Sequence, residues 1–242
     1  MKPLQIVPRI AFTGVKMKQT FRELKDKILA LLSRDDFDQA LQEICRIPEQ
    51  LAVSPLFSFF HSGNELIRWR AITAMGAVVA QLADSDREAA RVIMRRLMWN
   101  LNDESGGIGW SSPEAMGEIM ARDEQLAQEY HLILVSYMDE EGNYIEFEPL
   151  QRGVIWAVGR LSHRRPELLS PFAYLLAPYM SSADPNLRGL AAWAAIPMNT
   201  NPIRADLEPL LSDNTSITIF INGKLQKQEI NQLAYQALSD LT

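Results

Sequence analysis

The residues of this chain with the most chemical potential lie in one stretch, MWNLNDESGGIGWSSPEAMGEI (98–119). It places Asn102, Asp103, Glu104, three glycines and Trp110 between two segments of helical character. Its functional reading is a ligand-facing loop with Trp99 and Trp110 as apolar walls and Asn102, Asp103, Glu114 and Glu118 as polar contacts. The plainer reading is a turn between helices, with glycines for unusual backbone angles and both tryptophans in the core. Glycines ahead of a helix N-terminus suit an anion, but Asp103 and Glu104 oppose one and no Gly-Lys-Ser/Thr follows. A cationic or hydroxyl-rich ligand fits better.

Glu114 and Glu118 are four residues apart, so on a helix they share a face at about 5–6 Å, a separation that suits paired acid and base carboxylates. Ser112-Pro113-Glu114 also reads as N-cap, N1 and N2, where a carboxylate complements the helix dipole without any further role. Glu118 has no such explanation. His61, His131 and His163 are scattered, make no metal-ligand spacing, and are expected at helix ends. No Gly-x-Ser-x-Gly elbow occurs, and Cys45 falls on a helical apolar pattern that predicts a small core residue. No metal or cofactor is expected.

The elements that must position these residues repeat. Ala74-Met75-Gly76, Ala115-Met116-Gly117 and Ala157-Val158-Gly159 recur at intervals of 41 and 42 residues, and Trp193-Ala194-Ala195 is a weaker fourth copy. The aligned segments are WRAITAMG (69–76), WSSPEAMG (110–117), RGVIWAVG (152–159) and RGLAAWAA (188–195). Small residues at such points let helices approach closely, and a period near 40 matches one antiparallel helix pair. Ala74, Gly76, Ala115, Gly117, Ala157 and Gly159 are therefore expected at equivalent helix contacts in consecutive repeats.

In these segments the chain resembles the HEAT-repeat family, whose second helix carries a basic residue near its start followed by small residues. The copy with Trp110 and Pro113 departs from that pattern. The NDESGGIGW segment and the PEAMGE helix resemble a bacterial HEAT-repeat family that brings no activity with it. By fold analogy alone, two HEAT-like enzyme classes also bear comparison: DNA-alkylation-repair glycosylases, loosely matched by Trp99, Asp103 and Trp110, and bilin lyases.

Partner helices are marked by Val92, Ile93, Leu97 and Leu101, by Leu126, Tyr130, Ile133, Leu134 and Tyr137, and by Leu168, Phe172, Leu175, Leu176 and Tyr179. Three helices are expected over 17–33, 36–46 and 50–61, after an extended arm. At the other end ITIFI (217–221), Asn222-Gly223 and KLQKQEI (224–230) predict a hairpin with a type I′ turn, closed by a final helix. The expected fold is all-α, an α-solenoid of HEAT-like helix pairs with a small C-terminal β-hairpin plus helix. Its parts are an arm and capping helices (1–62), repeats (63–212) and a hairpin and helix cap (213–242).

A composition 47% hydrophobic and 22% charged excludes a largely disordered chain. The net charge of −6 and pI near 5.2 argue against nucleic acid and anionic lipid as partners, although Arg91, Arg95 and Arg96 cluster, as do Arg160, His163, Arg164 and Arg165. No stretch is long and apolar enough for a membrane span, which makes the cytoplasm the default location. These features predict a monomeric, non-catalytic binding or scaffold protein for a protein partner or small polar ligand. The alternative is an enzyme built on the same solenoid around residues 99–118.

Overall fold

The computed structural model describes residues 20–101 and 109–239. Thr20 opens α1 (Phe21–Leu32) through a reciprocal capping box with Glu23, and Asp36 caps α2 (Phe37–Cys45). Then follow α3 (Glu49–Ser58), α4 (Glu65–Ser85), α5 (Arg87–Leu101), α6 (Ser112–Arg122), α7 (Glu124–Ser136) and α8 (Glu148–Ser162). The first helix is described from Phe21, behind the Thr20 cap, and residues 17–19 of the expected helix, like the arm ahead of them, lie outside the described residues.

The segment expected as one helix through Leu168 and Tyr179 is broken into α9 (Pro166–Leu169), a 3₁₀ stretch (Ser170–Leu176) and α10 (Ala177–Met180). Pro171 and Pro178 supply no backbone N–H, so a continuous α-helical ladder cannot form there. Beyond it lie α11 (Pro185–Ala195), the short α12 (Arg204–Leu207) between two 3₁₀ turns, strands β1 (Ser216–Ile221) and β2 (Lys224–Glu229), and α13 (Ile230–Ser239).

Helices α4, α6, α8 and α11 lie side by side in one layer, each packed on the next, while α3, α5, α7 and the broken α9–α10 segment form the second layer. The repeat glycines hold the first layer together. A Cβ placed on Gly76 would lie 2.9 Å from Glu118 Cβ, one on Gly117 2.6 Å from Ala157 Cα, and one on Gly159 2.5 Å from the Trp193 ring. Each glycine thus faces the next helix of the layer, and Ala74, Ala115 and Ala157 beside them are fully buried. The expected register of equivalent contacts holds.

The hairpin also forms as predicted. Asn222 and Gly223 both have positive φ (50° and 79°), as a type I′ turn requires, and Ile221 pairs with Lys224. β1 packs on α11, with the Ile217 side chain occupying the space left by Gly189, while α13 packs against α11 as well as β2. No helix among the described residues is long and apolar enough to cross a membrane.

Candidate functional site

Because α4, α6, α8 and α11 run parallel, their N-terminal ends fall on one side of the layer, and the hairpin folds back across them. Between them lies a cavity of about 450 Å³. That is within the range of small-molecule pockets.

α4 contributes Glu65, Arg68 and Trp69, and α8 contributes Arg152, Gly153 and Trp156. Trp110, Ser111 and Glu114 come from the entry to α6, and Thr218, Ile219 and Phe220 from β1. The aromatic lining is interlocked. Trp69 stacks on Phe220 at 5.0 Å with the rings 4° from parallel, and packs on Trp156 at 4.6 Å. Trp156 Nε1 donates to the Phe220 carbonyl at 3.0 Å, which pins the hairpin to the helix layer. Trp110, half-buried, meets the Phe147 ring edge-on at 5.9 Å, so it closes against the start of the neighbouring α8.

Glu114 is placed by an unusual helix start. Ser111 sits in the left-handed region at φ 64°, a conformation costly for a residue with a side chain, and its buried hydroxyl donates to the Phe60 carbonyl at 3.2 Å. The helix begins at Ser112, so Ser111 occupies the cap position predicted for Ser112, and its side chain makes no capping hydrogen bond. Glu114 moves accordingly to the third helical position.

The Glu114 carboxyl lies flat against Gly153, where a Cβ would come within 2.8 Å of its Cδ. Its Oε2 is shut off from water and has no hydrogen-bond partner among the described residues. Burial pushes this carboxyl up to about 7, against the opposing pull of its own backbone N–H and the Arg68 charge.

The charges around it are otherwise paired. Arg68 lies 3.6 Å from Glu65, and Arg152 bridges Glu148 at 2.8 Å and Asp184, the cap of α11, at 2.7 Å.

A stability consequence follows from the raised carboxyl. Between about pH 4.5 and about 7 the folded protein holds a proton that the unfolded chain has released, so stability falls as pH rises through that window and levels off above it. Glu114→Gln is expected to flatten that slope and to raise stability at pH 8 by about 1–3 kcal/mol. Urea unfolding of both proteins from pH 4.5 to 8 checks it, and parallel curves for the two would refute it.

Of the other residues singled out in the sequence, Glu118 is buried but belongs to a different environment. Its carboxylate accepts from Arg160 Nε at 2.6 Å and from Arg122 at 3.4 Å, and it does not line the cavity. Glu114 and Glu118 therefore do not form a working pair. Trp99 is 75% exposed on α5, in neither the cavity wall nor the core. Asn102 and Asp103 lie outside the described residues.

His163 follows the last turn of α8 as expected, but His131 stands inside α7, its Nδ1 close to the Ala127 carbonyl. Cys45 is half-buried with its thiol pushed up by burial, which disfavours the reactive thiolate. Among the described residues no group of three or more His, Cys, Asp or Glu side chains could hold a metal ion.

Sequence reading overlooked Trp69, Trp156, Phe220, Arg68 and Arg152 as site residues. One signal was available, since Trp69 and Trp110 open aligned repeat segments and the same helix end recurs in space. The contribution of β1 left no trace of that kind.

No protein-family model matches the chain. An uncharacterized protein of Archaeoglobus fulgidus is 29% identical over 112 residues, covering 46% of this chain and 55% of that protein, so the match spans about half of the relative's length. Among solved structures, a designed armadillo repeat protein in complex with the peptide (KR)4 has a TM-score of 0.52 at 17% identity, covering 91% of this chain and 100% of its own. An engineered protein from a structural genomics consortium has a TM-score of 0.52 at 14% identity, covering 89% and 95% respectively. At such identities the likeness bears on fold alone, and it agrees with the helix layers and repeat register described above. The chain is a helical-repeat solenoid of armadillo-like architecture, ending in a two-stranded antiparallel sheet and a helix.

Proposed function

We propose that this is a binding protein of the HEAT-like repeat class, which uses the cavity between α4, α6, α8 and the hairpin to hold a group of a protein partner or a small polar ligand. The observation that carries this reading is the cavity itself: four aromatic rings and one carboxyl whose Oε2 has no hydrogen-bond partner among the described residues surround about 450 Å³ of space. A solenoid needs no such arrangement to stack its repeats. The designed armadillo protein was solved in complex with the peptide (KR)4, which supports a chain segment as one kind of ligand for this fold. A cytoplasmic setting, a monomeric state and kinship with a bacterial HEAT family are parts of the same proposal.

The test compares wild-type protein with Trp110→Ala as bait in native lysate, with bound proteins and small molecules identified by mass spectrometry. Trp110 is half-buried at the cavity wall, so the variant is expected to fold and to lose the bound species at least several-fold. Equal recovery by both baits would remove the cavity from the function.

A second reading has one observation in its favour. A carboxyl raised to about 7 can give or take a proton near neutral pH, as a general acid or base must. On that reading the protein is an enzyme with Glu114 as its proton-transfer group, comparable by analogy of fold alone to solenoid enzymes with glycosylase or lyase activity. Conversion of the recovered small molecule by wild-type protein, abolished in Glu114→Gln, would establish it.

A further inference from the structure

Two buried polar groups of the cavity lining lack a hydrogen-bond partner among the described residues, the Trp69 indole N–H and Glu114 Oε2, and only the second bears on charge. The two arginines of the cavity are both committed, Arg68 with Glu65 and Arg152 with Glu148 and Asp184. Glu114 is the one lining carboxylate without an ion-pair partner among the described residues, and its Oε2 lacks even a hydrogen bond. A buried acceptor in that condition costs free energy that a donor in the cavity would recover once the carboxyl turns to meet it.

The walls around it are indole and phenyl faces, whose electron-rich surfaces attract cations. The N-terminal ends of α4, α6, α8 and α11 oppose a cation through their dipoles. That field is already offset by Glu65, Glu114 and Glu148 in the first turns and by the Asp184 cap.

We infer that the cavity recognises the protonated primary amine of an organic ligand, with the ammonium against Glu114 and the adjoining methylenes against Trp69, Trp110 and Trp156. This rests on the reading of the cavity as a binding site and adds the ligand's chemical class.

Primary amines are favoured over quaternary ones because the Glu114 carboxylate calls for an N–H donor as well as a charge. Gly153 is part of the device, since any side chain there would displace the carboxyl from its seat. Glu114 must be ionised to pair with the ammonium, so binding expels a proton and strengthens as pH rises through about 7. The charged groups that line the cavity with it are Glu65 and Arg68 of α4 and Arg152 of α8, the last held by Glu148 and Asp184.

The same chemistry could come from a free alkylamine or from a lysine side chain on a partner. The experiment is titration of protein carrying ¹⁵N-labelled tryptophan with n-butylammonium, n-butanol, butyrate, tetramethylammonium and acetyl-Ala-Lys-Ala-amide at constant ionic strength. The indole N–H signals of Trp69, Trp110 and Trp156 report on the cavity, and that of Trp99, exposed on α5, serves as the internal control.

At pH 8 n-butylammonium is expected to shift the cavity signals saturably, at least ten-fold more tightly than the other three small probes. Its affinity should fall about ten-fold between pH 8 and pH 6, following the ionised fraction of Glu114. Glu114→Gln and Gly153→Ala should each lose at least five-fold, and in Glu114→Gln the pH dependence should vanish. The lysine peptide binding more tightly than n-butylammonium identifies a partner side chain as the source, and the reverse order identifies a free amine.

Saturable binding of n-butanol or butyrate with equal or greater affinity overturns the amine and leaves the cavity a binding site. Cavity signals indifferent to every probe overturn both. Should either variant fail to fold, the pH profile of the wild-type protein decides alone.

Discussion

Gly117→Ala is expected to lower the unfolding free energy by about 2 kcal/mol, even though alanine is the better helix former by about 1 kcal/mol. A methyl group at this position meets the backbone of α8, 2.6 Å from Ala157 Cα and 2.8 Å from its carbonyl oxygen. No rotamer relieves a clash with main chain, so α6 and α8 must separate along a buried interface. At Gly76 the nearest atom is a side-chain Cβ at 2.9 Å and the backbone stands beyond 3.0 Å, so Gly76→Ala should cost less. Gly63→Ala meets nothing within 4 Å and should fall within about 0.5 kcal/mol of wild type. Urea unfolding of the three variants tests the ranking. A Gly117→Ala protein as stable as Gly63→Ala would mean that the helices do not approach as closely as described.

Arg160→Ala should be costlier still, at roughly 2–4 kcal/mol, because it strands the carboxylate of Glu118, whose side chain is only 5% exposed. The estimate lies below that for a fully buried pair because Arg122 remains 3.4 Å away and Arg160 is itself 28% exposed. Most of the loss is the burial of an unpaired charge rather than a missing attraction. Adding Glu118→Gln to Arg160→Ala should therefore restore more than half of it. A double variant no better than Arg160→Ala in urea unfolding would show that Arg160 acts through packing instead.

The repeat architecture was legible because it is written locally. Alanine and glycine at 41- and 42-residue intervals can serve only a recurring close contact, and three of those contacts are present at Gly76, Gly117 and Gly159. The hairpin was equally clear, since Asn222-Gly223 between alternating strands leaves the backbone little choice. The break in the α9–α10 segment was also written locally, in Pro171 and Pro178, but apolar spacing alone concealed it.

The candidate site was only half legible. Trp110 and Glu114 stood out beside the glycines, and the leaning towards a cationic ligand came from the acidic residues there. Yet Glu118, equally conspicuous, is held by Arg160 from the next helix, a partner 42 residues away that no local pattern announces. Phe220 was invisible for the same reason. Its place on Trp69 depends on how far the hairpin folds back, and that is decided by packing on α11 rather than by the strand sequence.

That return of the hairpin changes the order in which the molecule can be completed. A linear array of repeats has only neighbour contacts, so each pair can form as soon as the next has been made, and fraying at one end leaves the other intact. Here Phe220 stacks on Trp69 and its carbonyl receives the Trp156 Nε1–H, so β1 fastens α4 to α8. During synthesis the early repeats emerge with an open trough, and the cavity acquires its last wall only when β1 has left the ribosome. On the proposed reading, competence to bind waits on β1, and the contacts of Phe220 with Trp69 and Trp156 tie the repeats between them into one cooperative unit rather than a row of independent ones.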